Sequence, residues 1–245
     1  MQSHSRLRSG DCSDYLADTK GTYTLRYYTH EAQERKVNTH PMCTELPAYD
    51  VSADDVMDIY LAERNLDSEL ARKNGWFPTS CAGDGYDRIV IPAVTHKAGH
   101  VYWQARDVSG KAFIRYQSPK GPRHEALIKV IPYDKPYQNG AVIVEGPMDA
   151  LAAAGEGYTG FALMGMKPSK ATLMHLALLL EDDSPIDSLV LLDRGELSNA
   201  IAVSTFLCSQ GYPAKVAELP EKDLAQCLPE VRRRFLSQRF RSLFK

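Results

Sequence analysis

The sequence predicts an α+β N-terminal part with a basic β-meander, followed by an α/β domain with a mostly parallel sheet. Between residues 88 and 131, β-type runs follow one another with only short turns between them, which is typical of antiparallel strands. From residue 141, strand-type and helix-type runs alternate, which is typical of βαβ crossovers. The 245 residues, 44% of them hydrophobic, suffice for one large core or two small ones.

The first 50 residues predict a small β-rich segment, with its clearest strand at residues 22–28. The segment contains Cys12 and Cys43 but no CxxC pair, whereas a zinc ribbon needs four ligands in closely spaced pairs. We therefore expect no zinc. The five cysteines of the chain are widely spaced and odd in number, which argues against a disulfide framework and favours a reducing compartment.

Residues 51–138 predict two helices followed by the meander. The first helix should begin with Ser52 as its N-cap and carry two aspartates in its first turn. The second should cover residues 68–74 and end at Gly75. The runs RIVIPAV, HVYWQARDV and AFIRYQS then predict three antiparallel strands with many basic side chains.

Two strands of the predicted α/β domain end in acidic residues. The run AVIV ends at Glu145, and the run SLVLL ends at Asp193. Asp149 follows Glu145 by one helical turn, so the three carboxylates meet if the two strands are neighbours. Such a cluster is normally neutralised by Mg²⁺, which prefers oxygen ligands and phosphate partners. The alternative is that Asp149 and Glu196 only cap the helices that follow the strands.

The acidic segments resemble the motifs of Toprim domains, which bacterial-type primases, topoisomerases and some nucleases share. Residues 144–149, Val-Glu-Gly-Pro-Met-Asp, resemble the Toprim glutamate motif, and Gly165 is similar to the glycine that closes the next strand. Residues 191–196 resemble the Asp-x-Asp motif, and residues 219–223, Leu-Pro-Glu-Lys-Asp, resemble an acidic segment of primases. The resemblance implies a Toprim domain over residues 139–228.

Segments upstream of the acids favour primases among these families. Residues 60–64, Tyr-Leu-Ala-Glu-Arg, resemble the opening of the primase polymerase core, and residues 88–92, 104–107 and 115–119 are similar to its basic β-elements. The resemblance runs in the family's order from about residue 55 to 228. It implies a DNA primase of bacterial or phage type. Such an enzyme makes short RNA primers on single-stranded DNA from ribonucleoside triphosphates with Mg²⁺ or Mn²⁺, in some cases beside a replicative helicase.

The resemblance also implies roles for individual side chains. Glu145 and Asp193 would be catalytic, and the metal ligands would be Glu145, Asp149, Asp193, Glu196 and Asp223. The phosphates of the nucleic acid would be contacted by Arg88, Arg106, Lys111, Arg115, Lys120 and Arg123. Trp103 and Tyr116 fit either base stacking or cross-strand packing.

The sequence departs from the primase pattern in two respects. Gly195 stands where the second acid of Asp-x-Asp is expected, and a glycine has no side chain that could bind a metal. Glu196 is the nearest substitute. The zinc ribbon is also absent, so residues 1–50 are interpreted as a remnant of that module without its metal.

Two further functions stay open. Gly195 would allow an accessory module that binds single-stranded DNA or a helicase without polymerising. A Toprim nuclease would need a nucleophile or base near the acids, but His175 lies on an apolar helical face and is interpreted as structural. The basic tail, residues 229–245, could contact DNA or a helicase, or pack as an amphipathic helix through Phe235, Phe240 and Phe244.

The absence of two kinds of sequence motif limits the possible functions and cellular locations. No Walker-type motif is present, so the chain is not itself a replicative helicase. No apolar run approaches the ~20 residues of a membrane span, and residues 1–10 are polar. We therefore expect no membrane partner and a cytoplasmic location, in the bacterial host if the protein is phage-encoded.

Overall fold

The structure is a computed structural model that describes residues 43–80, 86–120, 123, 125–134, 136–165, 167–180, 186–219 and 221–244. These residues belong to one compact unit. Of the predicted β-rich segment, only residues 43–50 are described, and they form neither helix nor strand. The predicted strand at residues 22–28 and Cys12 lie outside the described residues.

The described part of the chain contains a long series of regular elements. Its α-helices are α1 (Asp54–Ala62), α2 (Ser68–Lys73), α3 (Pro147–Gly155), α4 (Lys170–Leu179), α5 (Leu197–Ser209) and α6 (Pro229–Leu243). Its strands are β1 (Phe77–Thr79), β2 (Arg88–Ala93), β3 (Tyr102–Asp107), β4 (Tyr116–Gln117), β5 (Ile128–Val130), β6 (Ala141–Val144), β7 (Thr159–Ala162), β8 (Ser188–Leu191) and β9 (Ala214–Val216). Short 3₁₀ turns cover Val51–Ala53 and Leu224–Gln226.

The start of the first helix differs from the prediction. Ser52 is not the N-cap, because it lies inside the 3₁₀ turn Val51–Ala53 that precedes α1. Asp50 caps that turn, and its carboxylate accepts hydrogen bonds from the backbone N–H and hydroxyl of Ser52. The N-cap position of α1 itself is Ala53, which makes no side-chain cap hydrogen bond. The second helix is confirmed, with Asp67 as its N-cap and Gly75 just beyond its end at a φ of 78°.

The basic meander is confirmed as an antiparallel sheet in the order β1-β2-β3-β4. Of the third predicted run, AFIRYQS, only Tyr116–Gln117 pairs as a strand. The chain then leaves this sheet, because the next strand, β5, pairs with β7. An isolated bridge between Val94 and Leu127 connects the two sheets.

The second sheet is mixed and mostly parallel, in the order β5-β7-β6-β8-β9, with β5 as its antiparallel edge. The central strand β6 is buried on both faces. Val142 and Val144 pack on the side of α3 and α6, whereas Ala141 and Ile143 pack on the side of α4 and α5. The predicted α/β arrangement, with helices on both faces of the sheet, is confirmed.

The basic tail packs onto this core as the amphipathic helix α6. Arg232 is 3% exposed, and its Nε donates to Glu156 Oε1 over 3.2 Å while another nitrogen donates to the Asn65 carbonyl. Phe240 stacks on Tyr158 with ring centroids 4.6 Å apart. Apolar packing and a buried ion pair therefore fix this helix, which agrees with the packed alternative for the tail.

None of the helices in the described ranges is long and apolar enough to cross a bilayer. The described cysteines, Cys43, Cys208 and Cys227, are free thiols.

Helix α3 lies unusually close to the sheet at Gly160 in β7. A Cβ at this position would lie 2.2 Å from the Ala150 carbonyl oxygen, a distance that no side chain tolerates. Because Gly160 has no side chain, the N-terminal half of α3 packs directly against the sheet. This packing determines how far Asp149, in the same half of the helix, lies from the strand ends.

Gly160→Ala should lower the free energy of unfolding by about 3 kcal/mol, because the helix must move away from the sheet. Urea unfolding measures the effect. Gly155→Ala is the matched control, since nothing lies within 4 Å of its added Cβ and helix propensity makes it neutral or stabilising. Equal stabilities for the two variants would contradict the close contact.

Candidate active site

A cleft of about 650 Å³ opens at the carboxyl ends of the parallel strands. Strand β6 connects through α3 to β7 on one side, and the chain then crosses to β8 on the other side of β6. The strand order thus reverses at β6, and such a switch point leaves a crevice between the loops that follow the two strands. Among the residues that the structure describes, the part of the cleft formed by the second sheet and the segment after it, here called the acidic wall, is lined by four acids and one lysine: Glu145, Asp149, Asp193, Asp223 and Lys222. The part formed by the N-terminal helices and the first sheet, here called the cationic wall, is lined in the same described portion of the chain by three arginines and one acid: Arg64, Arg106, Arg115 and Glu63.

Glu145 and Asp193 meet at this switch point. Val144 at the end of β6 pairs in register with Leu191 at the end of β8, so the two carboxylates leave the sheet at neighbouring strand ends. Burial raises the pKa of Glu145, and the charges of Asp193 and Glu196 raise it further. Burial and the charge of Asp223 raise the pKa of Asp193, while Lys222 opposes them.

Asp149 is almost fully buried in the first turn of α3. Its Oδ1 accepts a hydrogen bond from the Ala225 backbone N–H over 2.8 Å. Burial raises its pKa to about 7, with help from the charge of Asp223 and against the Ala225 hydrogen bond. Gly146 leaves space for this carboxylate, because a Cβ there would lie 3.2 Å from its Oδ2. Asp149 therefore ties α3 to the segment that carries Asp223.

The two remaining predicted ligands are engaged locally. Both oxygens of Asp223 accept hydrogen bonds from Gln226, and Asp223 caps the short 3₁₀ turn while it lines the cleft. Glu196 accepts from the Asn199 side chain and lines a neighbouring small depression instead of the main cleft. Its charge nevertheless raises the pKa values of Glu145 and Asp193, so it lies within electrostatic reach of both.

The acids suit a divalent cation in their chemistry. They are hard oxygen donors that repel one another, and Glu145 Oε2 is buried without a hydrogen-bond partner. Within the described ranges, however, no three carboxylate, histidine or cysteine side chains stand close enough together to hold an ion. Repulsion between uncompensated carboxylates explains why they share a cleft without closing into a ligand set.

Gly195 has a conformational reason to be glycine. Its φ is 98°, in a turn closed by a hydrogen bond from the Glu196 N–H to the Asp193 carbonyl. Nothing lies within 4 Å of a Cβ built on it, so space is available but the backbone disfavours any other residue. The turn after β8 thus carries one acid, Asp193, into the cleft.

The opposite wall of the cleft is cationic and aromatic. Arg106 in β3 donates through Nε to the Tyr60 hydroxyl over 2.7 Å, and its guanidinium lies 4.9 Å from the Tyr116 ring centroid. Arg64 lies over the Tyr60 ring at 3.7 Å. Burial raises the pKa of Tyr116, so its hydroxyl stays protonated. Two guanidinium groups are therefore held in fixed positions across from the acids.

Two of the predicted phosphate contacts already donate hydrogen bonds to backbone carbonyls, and for the first of them the prediction is wrong. Arg88 is completely buried and donates to the carbonyls of Ala105 and Ile114, so it holds strands together and cannot reach a phosphate. Arg123 donates to the carbonyls of Leu163 and Met164, and burial lowers the pKa of its guanidinium. A pattern of basic residues in strands cannot distinguish such inward guanidinium groups from exposed ones.

The other predicted contacts face outward. Lys111, Arg115 and Lys120 are exposed, and Arg115 lines the cleft together with Arg106. Trp103 is buried against Val90 and Ala105, so cross-strand packing is the correct interpretation for it.

Several cleft residues were not predicted individually. Arg64, Lys222 and Gln226 line the cleft, and the first two lie in segments singled out by resemblance. The resemblance of residues 60–64 and 219–223 to primase segments could have pointed to Arg64 and Lys222. Only the fold shows that both segments reach the same cleft. His175 is buried, and its Nδ1 is hydrogen-bonded to the Glu125 carbonyl over 2.8 Å, which supports its structural interpretation.

Stability should depend on pH through Asp149. Its pKa in the folded state lies above its ordinary value of 3.8, so its contribution to stability is full below about pH 4 and is lost as the pH rises through about 7. In EDTA, Asp149→Asn should gain about 3 kcal/mol of unfolding free energy relative to the wild type between pH 5 and pH 8. Urea unfolding at both pH values measures this gain, and parallel pH profiles would refute the assignment.

The comparisons with known proteins find similar structures but no matching family model or curated sequence. The RNA polymerase domain of Mycobacterium tuberculosis primase DnaG is 21% identical, with 77% of this chain and 75% of that chain covered and a TM-score of 0.52. The zinc-binding and RNA polymerase domains of Aquifex aeolicus primase are 19% identical, with 78% and 60% covered and a TM-score of 0.54.

A third similar structure contains the bacteriophage T7 lagging-strand DNA polymerase with the primase domains of two gp4 subunits, an RNA/DNA hybrid and dTTP. It is 21% identical, with 76% of this chain and 90% of that chain covered and a TM-score of 0.49. The chain spans 60% of the Aquifex protein and larger shares of the other two. On the two bacterial structures, the predicted resemblance is confirmed, and the chain has the fold of the RNA polymerase domain of primases.

Proposed function

We propose that this protein is a DNA primase that synthesises short RNA primers on single-stranded DNA by metal-dependent nucleotidyl transfer. The observation that carries the proposal is the pairing of Glu145 and Asp193 at adjacent strand ends, across one cleft from Arg64 and Arg106. An acidic wall facing a cationic wall suits a metal-bound triphosphate. The mixed sheet and its motifs support a Toprim domain over residues 139–228.

Glu145 and Asp193 are the proposed ligands of Mg²⁺ or Mn²⁺. Bound there, a divalent ion would supply positive charge for the nucleotide phosphates and for the attacking 3′-hydroxyl. Asp223 lines the same cleft and would complete the set after its bonds to Gln226 rearrange. Asp149 acts as a positioning residue, since it is buried and bonded to Ala225.

The cationic wall would hold the nucleotide in place. In the transfer, the primer 3′-oxygen forms a bond to the α-phosphorus, the bond to pyrophosphate breaks, and the hydroxyl proton passes to solvent. Arg64 and Arg106 would contact the phosphates as charge moves onto the leaving pyrophosphate. Their contacts with Tyr60 fix both guanidinium groups, so little reorganisation accompanies the reaction.

The exposed cations next to the cleft would bind the template. Lys111, Arg115 and Lys120 lie on or beside the strands that form the cationic wall, and phosphate contacts of this kind tolerate any base sequence. A replicative helicase is a further proposed partner, as the resemblance implies.

A second candidate function follows from Gly195. With one acid instead of two in the turn after β8, the cleft would bind single-stranded DNA or a helicase without supporting polymerisation. A protein with this accessory function would bind single-stranded DNA as a primase does but would make no RNA primers.

Primer synthesis on a mixed-sequence single-stranded template with labelled ribonucleotides and Mg²⁺ or Mn²⁺ tests the proposal. Glu145→Gln and Asp193→Asn should each reduce RNA products by at least about 100-fold, because each removes charge at the reacting phosphates. Both variants should be at least as stable as the wild type, since each relieves repulsion.

Asp55→Asn and Glu230→Gln are matched controls on exposed acids outside the cleft, and they should retain full activity. No product from the wild type, together with intact salt-sensitive DNA binding, would favour the accessory function over the primase.

DNA binding should weaken with salt and depend on Arg115. Arg115→Ala should lower affinity for single-stranded DNA and reduce the slope of log K against log salt by about 0.7, the value for one phosphate contact. Fluorescence anisotropy at several salt concentrations measures both. Lys215→Ala, on the exposed edge strand β9, is the control and should leave the slope unchanged. An unchanged slope in Arg115→Ala would exclude this residue from the interface.

A further inference from the structure

The loop between β3 and β4 exposes an aromatic side chain beside the cleft. Phe113 is fully exposed, and the neighbouring Ile114 is also exposed. Burying a phenylalanine normally stabilises a protein by about 1.5–3 kcal/mol, so a bare one gives up that stabilisation. Its exposure leaves the whole ring available to a ligand.

The loop that presents Phe113 is anchored on both sides. Before it, the Asp107 carboxylate accepts hydrogen bonds from the backbone N–H and hydroxyl of Ser109. After it, the buried Arg88 guanidinium donates to the Ile114 carbonyl over 2.9 Å, and the Asp107 N–H donates to the Arg115 carbonyl over 2.9 Å. The aromatic ring is thus carried by a short fixed arch.

The surroundings of Phe113 are basic. Lys111 and Arg115 flank it and are exposed, and residues 108–120 contain no acid. Arg115 lines the cleft, and two residues of chain span at most about 7 Å, so the backbone of Phe113 lies within about 7 Å of a cleft-lining residue. The aromatic residues of the two flanking strands are less exposed: Tyr102 and Trp103 are buried, and Tyr116 is half-buried under Arg106.

We propose that Phe113 is a base-stacking residue for single-stranded nucleic acid that enters the cleft at Arg115, a role that rests on the proposed function. Every base has a face that an aromatic ring can cover, while Lys111 and Arg115 bind the adjoining phosphates. A protein partner fits less well, because two apolar residues on a basic arch fall far short of the ~800 Å² that each side of a stable interface buries.

The test is fluorescence anisotropy of a short mixed-sequence single-stranded DNA with wild type and three Phe113 variants. Phe113→Ala should weaken binding by about 5- to 150-fold, the range for the loss of one stacked base. Phe113→Trp should bind at least as well as the wild type. Phe113→Leu, which stays apolar without a flat ring, should resemble the alanine variant.

Two readouts separate stacking from other effects. The salt slope should be the same in all three variants, because no phosphate contact is lost, and thermal unfolding should not change, because the side chain is fully exposed. A 2-aminopurine in the DNA should be quenched by wild type and by Phe113→Trp and not by Phe113→Ala.

The outcomes distinguish this inference from the function on which it rests. If the wild type binds DNA and Phe113→Ala binds equally well, the stacking role is refuted and the primase proposal stands. If Phe113→Leu binds like the wild type, the contact is apolar and not a stack, which also refutes the role. If the wild type shows no salt-dependent binding of single-stranded DNA, the proposed function fails first.

Discussion

The parallel pairing of β6 with β8 is the interaction on which the candidate site depends. It brings Glu145 and Asp193, which are 48 positions apart (193 − 145), to neighbouring strand ends. Burial raises the pKa of both acids, the charge of Asp193 raises that of Glu145 further, and the charge of Asp223 raises that of Asp193 further. The fold thus holds negative charges close together at the strand ends, and a divalent cation that also binds phosphates would relieve their repulsion.

The rest of the structure supports this arrangement from two sides. Gly160 lets α3 approach the sheet, and the buried carboxylate of Asp149 then fastens the segment that carries Asp223. On the other side, the antiparallel sheet holds Arg106 against Tyr60. The acidic and cationic walls are therefore built by separate sheets, so the cleft between them exists only in the assembled unit.

The loop after β8 decides whether the cleft has enough acids for catalysis or serves only to bind nucleic acid. At Gly195 the positive φ closes a tight turn that directs Asp193 into the cleft, and a second acid in this backbone conformation would be strained. Position 195 thus faces two incompatible requirements, because the turn favours glycine whereas a second metal ligand would have to be an acid. A primase that works with this loop would rely on Glu145, Asp193 and Asp223.

The sequence by itself determined the two sheets, the βαβ order and the acids at the strand ends, because period and strand-end position are local properties. Only the tertiary structure decided which cations are available: Arg88 is buried between strands, whereas Arg115 lines the cleft. It also placed β5 in the second sheet and Asp50 at the cap of the 3₁₀ turn that precedes α1. Side-chain direction and strand partners depend on distant contacts, which no local pattern encodes.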